Sequence, residues 1–244
     1  MASDKSIPKI VPVLLAVLAG YVDSCTFLAL FGLFVAQVTG SFVLAGVQLV
    51  ASEQGALIKL IGIPTFFLGG VVATVVARTL GRRGGPALAV ALGLETALLA
   101  GLFMAWLMGG PLSDPDAPVA VCAAVFGLSA MGVQSALVRL VIAGAPSTNV
   151  MTSNTTQLAI DATDLALAWR ARLRAPADPE LAAAHARARE RFNALWPVIL
   201  GFLAGTLTGA LAYAHFDLWC LLAAVAAALA LSLWAAPRRL AYGA

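Results

Sequence analysis

The chain has 244 residues, 61% of them apolar and only 11% charged, with a mean hydropathy of +0.93 and a net charge of +3. These values lie far outside the range of soluble domains and mark a polytopic integral membrane protein, with room for six crossings of about 20 residues and a modest loop. The positive excess is spread over short segments between apolar runs, with no basic patch interleaved with aromatics, which argues against nucleic acid as a partner.

In chain order, six near-continuous apolar runs are predicted to span at about 12–34, 57–78, 87–108, 119–140, 196–214 and 217–236. The first is too long for a signal-peptide core and is expected to remain as a span. An amino terminus in the cytoplasm places every one of the 15 Lys and Arg residues inside except Lys59, which sits close enough to a span end to snorkel to the interface. Glu53, Asp114, Asp116 and Asp217 then fall outside. The expected topology is six spans with both termini cytoplasmic, in one membrane domain covering 1–244.

Two further stretches do not fit a six-span count. The first, at 38–52, would form a helix only about 20 Å long against a hydrocarbon core of roughly 30 Å, so it enters the membrane and hardly crosses it. The second, at 149–169, opens on equally polar residues and carries Asn154, Gln157, Asp161 and Asp164 as a stripe at helical spacing. It is either a second re-entrant helix or an amphipathic helix on the cytoplasmic interface. Laid over each other, Thr39, Ser41 and Gln48 meet Thr152, Asn154 and Asp161. Each stretch follows the first span of its half and precedes a span that opens with proline and then glycine, Pro64 with Gly69 and Gly70, Pro197 with Gly201 and Gly205. Trp106 and Trp234 close the two third spans. The expected fold is therefore all-α, with two three-span repeats at about 10–110 and 117–237, and an odd number of spans per half makes them inverted, as in many secondary transporters.

At this point the chain resembles the YoaK-like family of bacterial multi-pass membrane proteins that carry a domain of unknown function. The resemblance covers nearly the whole length and rests on Ala19-Gly20-Tyr21-Val22-Asp23, Gly32-Leu33-Phe34-Val35, Val38-Thr39-Gly40, the run from Gly132 to Arg139 and the run from Val150 to Leu158. The family pattern usually reads Thr-Gly-Asn where this chain has Thr39-Gly40-Ser41 and Thr152-Ser153-Asn154. What the resemblance implies is a small six-span protein of the bacterial inner membrane, with no established activity.

Polar residues at membrane depth are the candidates for chemistry. Asp23 lies about halfway along the first span, where a carboxylate costs at least ~2.5 kcal/mol unless it is neutral, paired or facing water. It reads either as a coupling or substrate-contacting carboxylate or as a hydrogen-bonding lock between helices. Glu95, about nine residues into the third span, follows the same logic. Gln134 and Arg139 share part of one face of the fourth span, with Arg139 read as an inside-facing determinant of topology. Thr39, Gly40 and Ser41, like Thr152, Ser153 and Asn154, are expected to cap helix N-termini, which at membrane depth attract anions. Gly201, Gly205 and Gly209 form a small-residue stripe for close helix approach, within the bundle or in a homodimer. The segment 170–195, rich in arginine with an apolar face from Leu181 to Leu195, is expected to be an amphipathic helix on the anionic inner leaflet.

Cys25, Cys122 and Cys220 lie in apolar runs without metal-ligand spacing and read as small buried hydrophobes. His185 and His215 have no metal partner at useful spacing, and no catalytic or phosphate-binding motif occurs. No cofactor, no metal and no enzymatic activity are expected. Two functions stay open. One is a small-molecule secondary carrier with its site at the repeat interface, formed from Asp23, Thr39, Ser41, Gln48, Glu95, Gln134, Thr152, Asn154, Gln157 and Asp161. The other is a non-transporting scaffold or sensor acting through the arginine-rich loop. The expected partners are the bilayer and an unidentified small molecule.

Overall fold

The computed structural model describes residues 7–51, 54–82, 85–110, 112–142 and 144–237, and among them every regular element is helical. In order these are α1 (Ile10–Ala29), α2 (Val38–Ala51), α3 (Ala56–Leu60), α4 (Gly62–Arg82), α5 (Ala87–Gly109), α6 (Pro118–Val141), α7 (Met151–Arg174), α8 (Pro179–Phe216) and α9 (Leu221–Ala235), with a 3-10 turn at Asp217–Cys220 joining the last two. Five stretches are long and apolar enough to cross a membrane: Ile10–Ala29, Ala56–Arg82, Ala87–Gly109, Pro118–Val141 and Pro179–Ala235, the last folded back on itself at the 3-10 turn. Lys5, Glu53, Arg83, Arg238 and Arg239, used above to orient the chain, lie outside the described residues.

The first apolar run does not continue as helix to residue 34. Phe31 and Gly32 take positive φ values of 55° and 78°, and the Gly32 N–H reaches back to the Phe27 carbonyl, a helix stop of the Schellman kind. The segment 30–37 stays apolar while its backbone folds back along α1, so hydropathy could not separate it from the span. The stretch expected to begin at 149 forms α7, which at 24 residues is about 36 Å long rather than short. The arginine-rich segment is a helical hairpin: α7 runs on to Arg174, and α8 starts at Pro179 under an Asp178 cap that accepts the N–H groups of Glu180 and Leu181 at 2.8 and 3.4 Å. From there α8 continues without interruption, through Pro197, into the apolar stretch, giving a helix of 38 residues. Lys59 does not snorkel. It is 1% exposed and donates to the carbonyls of Phe31 at 2.7 Å and Gly55 at 3.4 Å, so its charge is held by the loop after α1 rather than by the interface.

Two helix pairs pack most extensively, α1 with α8 and α4 with α6. Both are parallel and both close on glycine. Along α1, Val13, Val17 and Tyr21 meet Gly201, Gly205 and Gly209 in turn, and a Cβ on Gly209 would sit 2.5 Å from the Tyr21 carbonyl. The small-residue stripe of α8 is thus taken up inside the chain. In the other pair, Gly69 abuts Ser129 with the same 2.5 Å limit, and Gly132 lies against Phe66 and Gly70. Helix α5 is antiparallel to both α6 and α9: Gly109 meets Val119 and Gly101 meets Phe126, while Ser232 donates to the Ala89 carbonyl and Trp219 stacks edge-on against Trp106. Tyr21 bonds to Cys220 at the head of α9, so α1 and α9 are antiparallel as well. Helices α1, α5 and α8 therefore point one way and α4, α6 and α9 the other.

Candidate functional site

The predicted site residues separate into three places. The first is the loop that folds back after α1. Asp23 is 3% exposed, and its Oδ1 accepts the Ala36 N–H at 2.7 Å, with the backbone N–H groups of Val35 and Gln37 turned toward the same carboxyl. Ser41, wholly buried in the first turn of α2, accepts the Phe34 N–H at 2.7 Å and donates to the Phe34 carbonyl at 2.9 Å. Asp23 thus supplies the acceptor for the backbone donors of the loop that leads into α2.

The loop after α6 is also held by buried polar side chains. Gln134 Nε2 donates to Thr148 Oγ1 at 3.0 Å and to the Leu15 carbonyl at 2.9 Å, and Ser135 Oγ donates to Asn149 at 3.4 Å. In α7, Asn154 Nδ2 donates to the Ser147 carbonyl at 2.6 Å. Ser41 with Phe34 and Asn154 with Ser147 are the same contact, a buried polar side chain gripping the backbone seven residues earlier. Buried Ser41 and Ala45 with half-buried Gln48 form the inward stripe of α2, and buried Asn154 and Asp161 with half-buried Leu158 that of α7.

The capping roles expected for these residues are not the ones found. Ser41 and Asn154 lie inside the first helical turn, where side chains lean toward the N-terminus and reach the loop behind it. The residue before α7 is Val150, with no side-chain cap. Thr39 and Thr152 point outward and are exposed.

The second place is the seam between two apolar clusters in the middle of the bundle. Helix α5 gives Leu88, Ala91 and Leu92 to one cluster and Leu99, Leu102 and Phe103 to the other. Between them sits Glu95, 0% exposed, with no hydrogen-bond partner on either carboxyl oxygen. Stepping along the antiparallel α5 and α6 from the contacts of Gly101 with Phe126 and of Gly109 with Val119 brings Glu95 level with Gly132 and Val133, next to Gln134 in sequence. Gln134 is 1% exposed, and its Oε1 has no partner either. A carboxyl without donors is costly at such depth unless a proton or a cation completes it. Gln48 also leaves a buried Oε1 unpartnered, on α2.

The third place joins α7 to α8. Arg191 donates to Asp161 at 3.0 Å and to Asp164 at 2.8 Å, and Gln157 donates to Asp161 at 3.1 Å. The polar stripe of α7 is therefore a clasp on α8. Arg139 is exposed and takes part in none of the ion pairs among the described residues.

Among the described residues no three His, Cys, Asp or Glu side chains are grouped to hold a metal ion. Sequence reasoning overlooked Ser135, Ser147, Thr148 and Asn149 as site residues and placed Lys59 at the interface instead of in the loop after α1. The run Pro146-Ser147-Thr148-Asn149 is a turn signal that pointed to the fold-back. Lys59 had no such signal.

The pattern of a family described as Protein of unknown function (DUF1275) matches residues 11–234. Neither a curated protein nor a solved structure matches the chain. The chain belongs to the DUF1275 family, a family of helical membrane proteins of unknown function.

Proposed function

We propose that this DUF1275 member is a small-molecule carrier of the bacterial inner membrane, built from two inverted three-span repeats, with the seam around Glu95 as its coupling site. The observation that carries the reading is Glu95 itself, wholly buried with both oxygens unpartnered. A merely structural carboxyl at that depth would be expected to have acquired donors, as Asp23 has. A carboxyl kept without them is available to bind a proton or a monovalent cation during transport.

Recurring contacts support the repeat. One displacement along the chain carries Gly20 to Gly132 and Val17 to Ser129, and a second carries Phe66 to Phe202 and Gly69 to Gly205. Under these, the contact of Gly132 with Phe66 becomes that of Gly20 with Phe202, and Gly69 on Ser129 becomes Gly205 on Val17. Because α1 and its counterpart α6 point in opposite directions, the halves are read as inverted. Six spans follow, α1, α4, α5, α6, the apolar part of α8, and α9, with the amino terminus, the carboxyl terminus and the α7–α8 hairpin cytoplasmic. Helix α2 enters from outside without crossing. In this arrangement each tight pair, α1 with α8 and α4 with α6, takes one helix from each half, and the two pairs can tilt against the α5–α9 centre as units.

A thermal-shift screen of the purified protein against metabolites and ions, at two pH values and in parallel on Glu95→Gln, tests the proposal. Ligands found this way are then taken into proteoliposomes with an imposed proton or sodium gradient. The carrier reading expects a ligand that accumulates against its own gradient in wild type and merely equilibrates in Glu95→Gln. If no stabilising ligand crosses the membrane, and Arg187→Gln with Arg189→Gln removes the biological effect, the scaffold reading replaces it. Arg191 is left out of that variant because it holds α7 to α8.

A further inference from the structure

The three cysteines, scattered in sequence, do not stay scattered in the fold. Cys25, on α1, and Cys220, at the end of the 3-10 turn, are 195 positions apart, yet their sulfurs are 3.3 Å from each other. Both are buried, at 0% and 5% exposure, whereas Cys122 is exposed on α6. The neighbouring structure fixes the pair. Tyr21, one helical turn before Cys25, donates its hydroxyl to the Cys220 carbonyl at 2.9 Å, and Cys25 Sγ donates to the Gly209 carbonyl at 3.5 Å. The stripe of glycines that seats α1 against α8 holds the same end of the bundle.

We propose that Cys25 and Cys220 are a redox pair that closes to an intramolecular disulfide, joining α1 to the turn between α8 and α9. A bonded pair of sulfurs is about 2.0 Å apart, so closure asks for a movement of roughly 1.3 Å, within reach of side-chain rotation and a small shift of the turn. The oxidant is a second disulfide, small-molecule or protein. Cys220, at 5% exposure the more accessible of the two and next to the exposed Trp219, attacks one sulfur of that disulfide and releases the other as a thiol. Cys25 then attacks Cys220 Sγ, forming the internal bond and releasing the second thiol. The two protons lost from the cysteines leave on the two released thiols, so two thiols are oxidised and one disulfide is reduced. This inference is independent of the carrier reading.

The experiment uses the full chain with Cys122→Ser, leaving only the pair. The purified protein is exposed to oxidised glutathione, then denatured, alkylated and mapped by mass spectrometry. The expected product is a Cys25–Cys220 linked peptide with neither thiol alkylated, reversed by a thiol reductant and accompanied by a higher melting temperature. In Cys25→Ala the resolving thiol is gone, and glutathione is expected to remain on Cys220 as a stable mixed disulfide. Recovery of both cysteines as alkylated thiols after prolonged exposure overturns the proposal. So does glutathione retained on Cys220 while Cys25 is still present. Should Cys25→Ala fail to fold, the peptide map of the parent chain decides alone.

Discussion

Asp23 and Glu95 are the same chemical group at the same degree of burial, 3% and 0% exposed, and their surroundings are opposite. The Asp23 carboxyl ends in the backbone of the loop it supports, with Ala36 at 2.7 Å, while neither oxygen of Glu95 touches a donor. Depth in the membrane alone therefore says little about what a carboxyl is for. The presence or absence of donors separates a group that holds the fold from one that burdens it.

Stability measurements can break this contrast or sharpen it. The largest effect is expected at Asp23→Ala, which removes the loop's buried acceptor and leaves the Ala36 N–H without a partner, a loss of roughly 2–3 kcal/mol. A melting temperature in detergent close to that of wild type would show that Asp23 does not support the loop. The opposite sign is expected at Glu95→Met, where an unsatisfied polar group gives way to an apolar one of similar volume, a gain of roughly 1–3 kcal/mol with coupled transport abolished. A Glu95→Met protein that melts lower than wild type would mean that the carboxyl does have partners and that the two sites are alike. The smallest effects are expected at Ser41→Ala and Asn154→Ala, each about 1 kcal/mol, since each removes the grip of a helix on the loop before it. Their value lies in the comparison, because the repeat proposed above expects similar losses at the two residues. Losses that differ severalfold would argue that the two loops are not equivalent.

The parts of the fold that depend on hydropathy were readable in the chain. The apolar runs at 87–108 and 119–140 became α5 and α6 with ends shifted by at most a residue, and Ser41 of α2 and Asn154 and Asp161 of α7 lie on the buried faces of their helices. What was not readable depends on backbone direction or on partners distant in sequence. Residues 30–37 are as apolar as the span before them, so only the positive φ of Phe31 and Gly32 ends α1. The burial of Lys59 follows from a carbonyl at Phe31, and the clasp of Asp161 and Asp164 from an arginine at 191, neither of which any local pattern announces. For the candidate site, the sequence put Asp23 ahead of Glu95, because sequence records that a carboxyl is deep and not which donors surround it.

The crossing of partners between α1 and α8 bears on how the protein is made. As the ribosome releases the chain from its N-terminus, α1 enters the bilayer long before α8 exists, and the backbone surface that Gly201, Gly205 and Gly209 will cover must meanwhile face lipid or the insertion machinery. Helices α4 and α6 find each other sooner. Assembly is thus expected to begin with the middle of the chain, and the first helix synthesised is among the last to be locked in place.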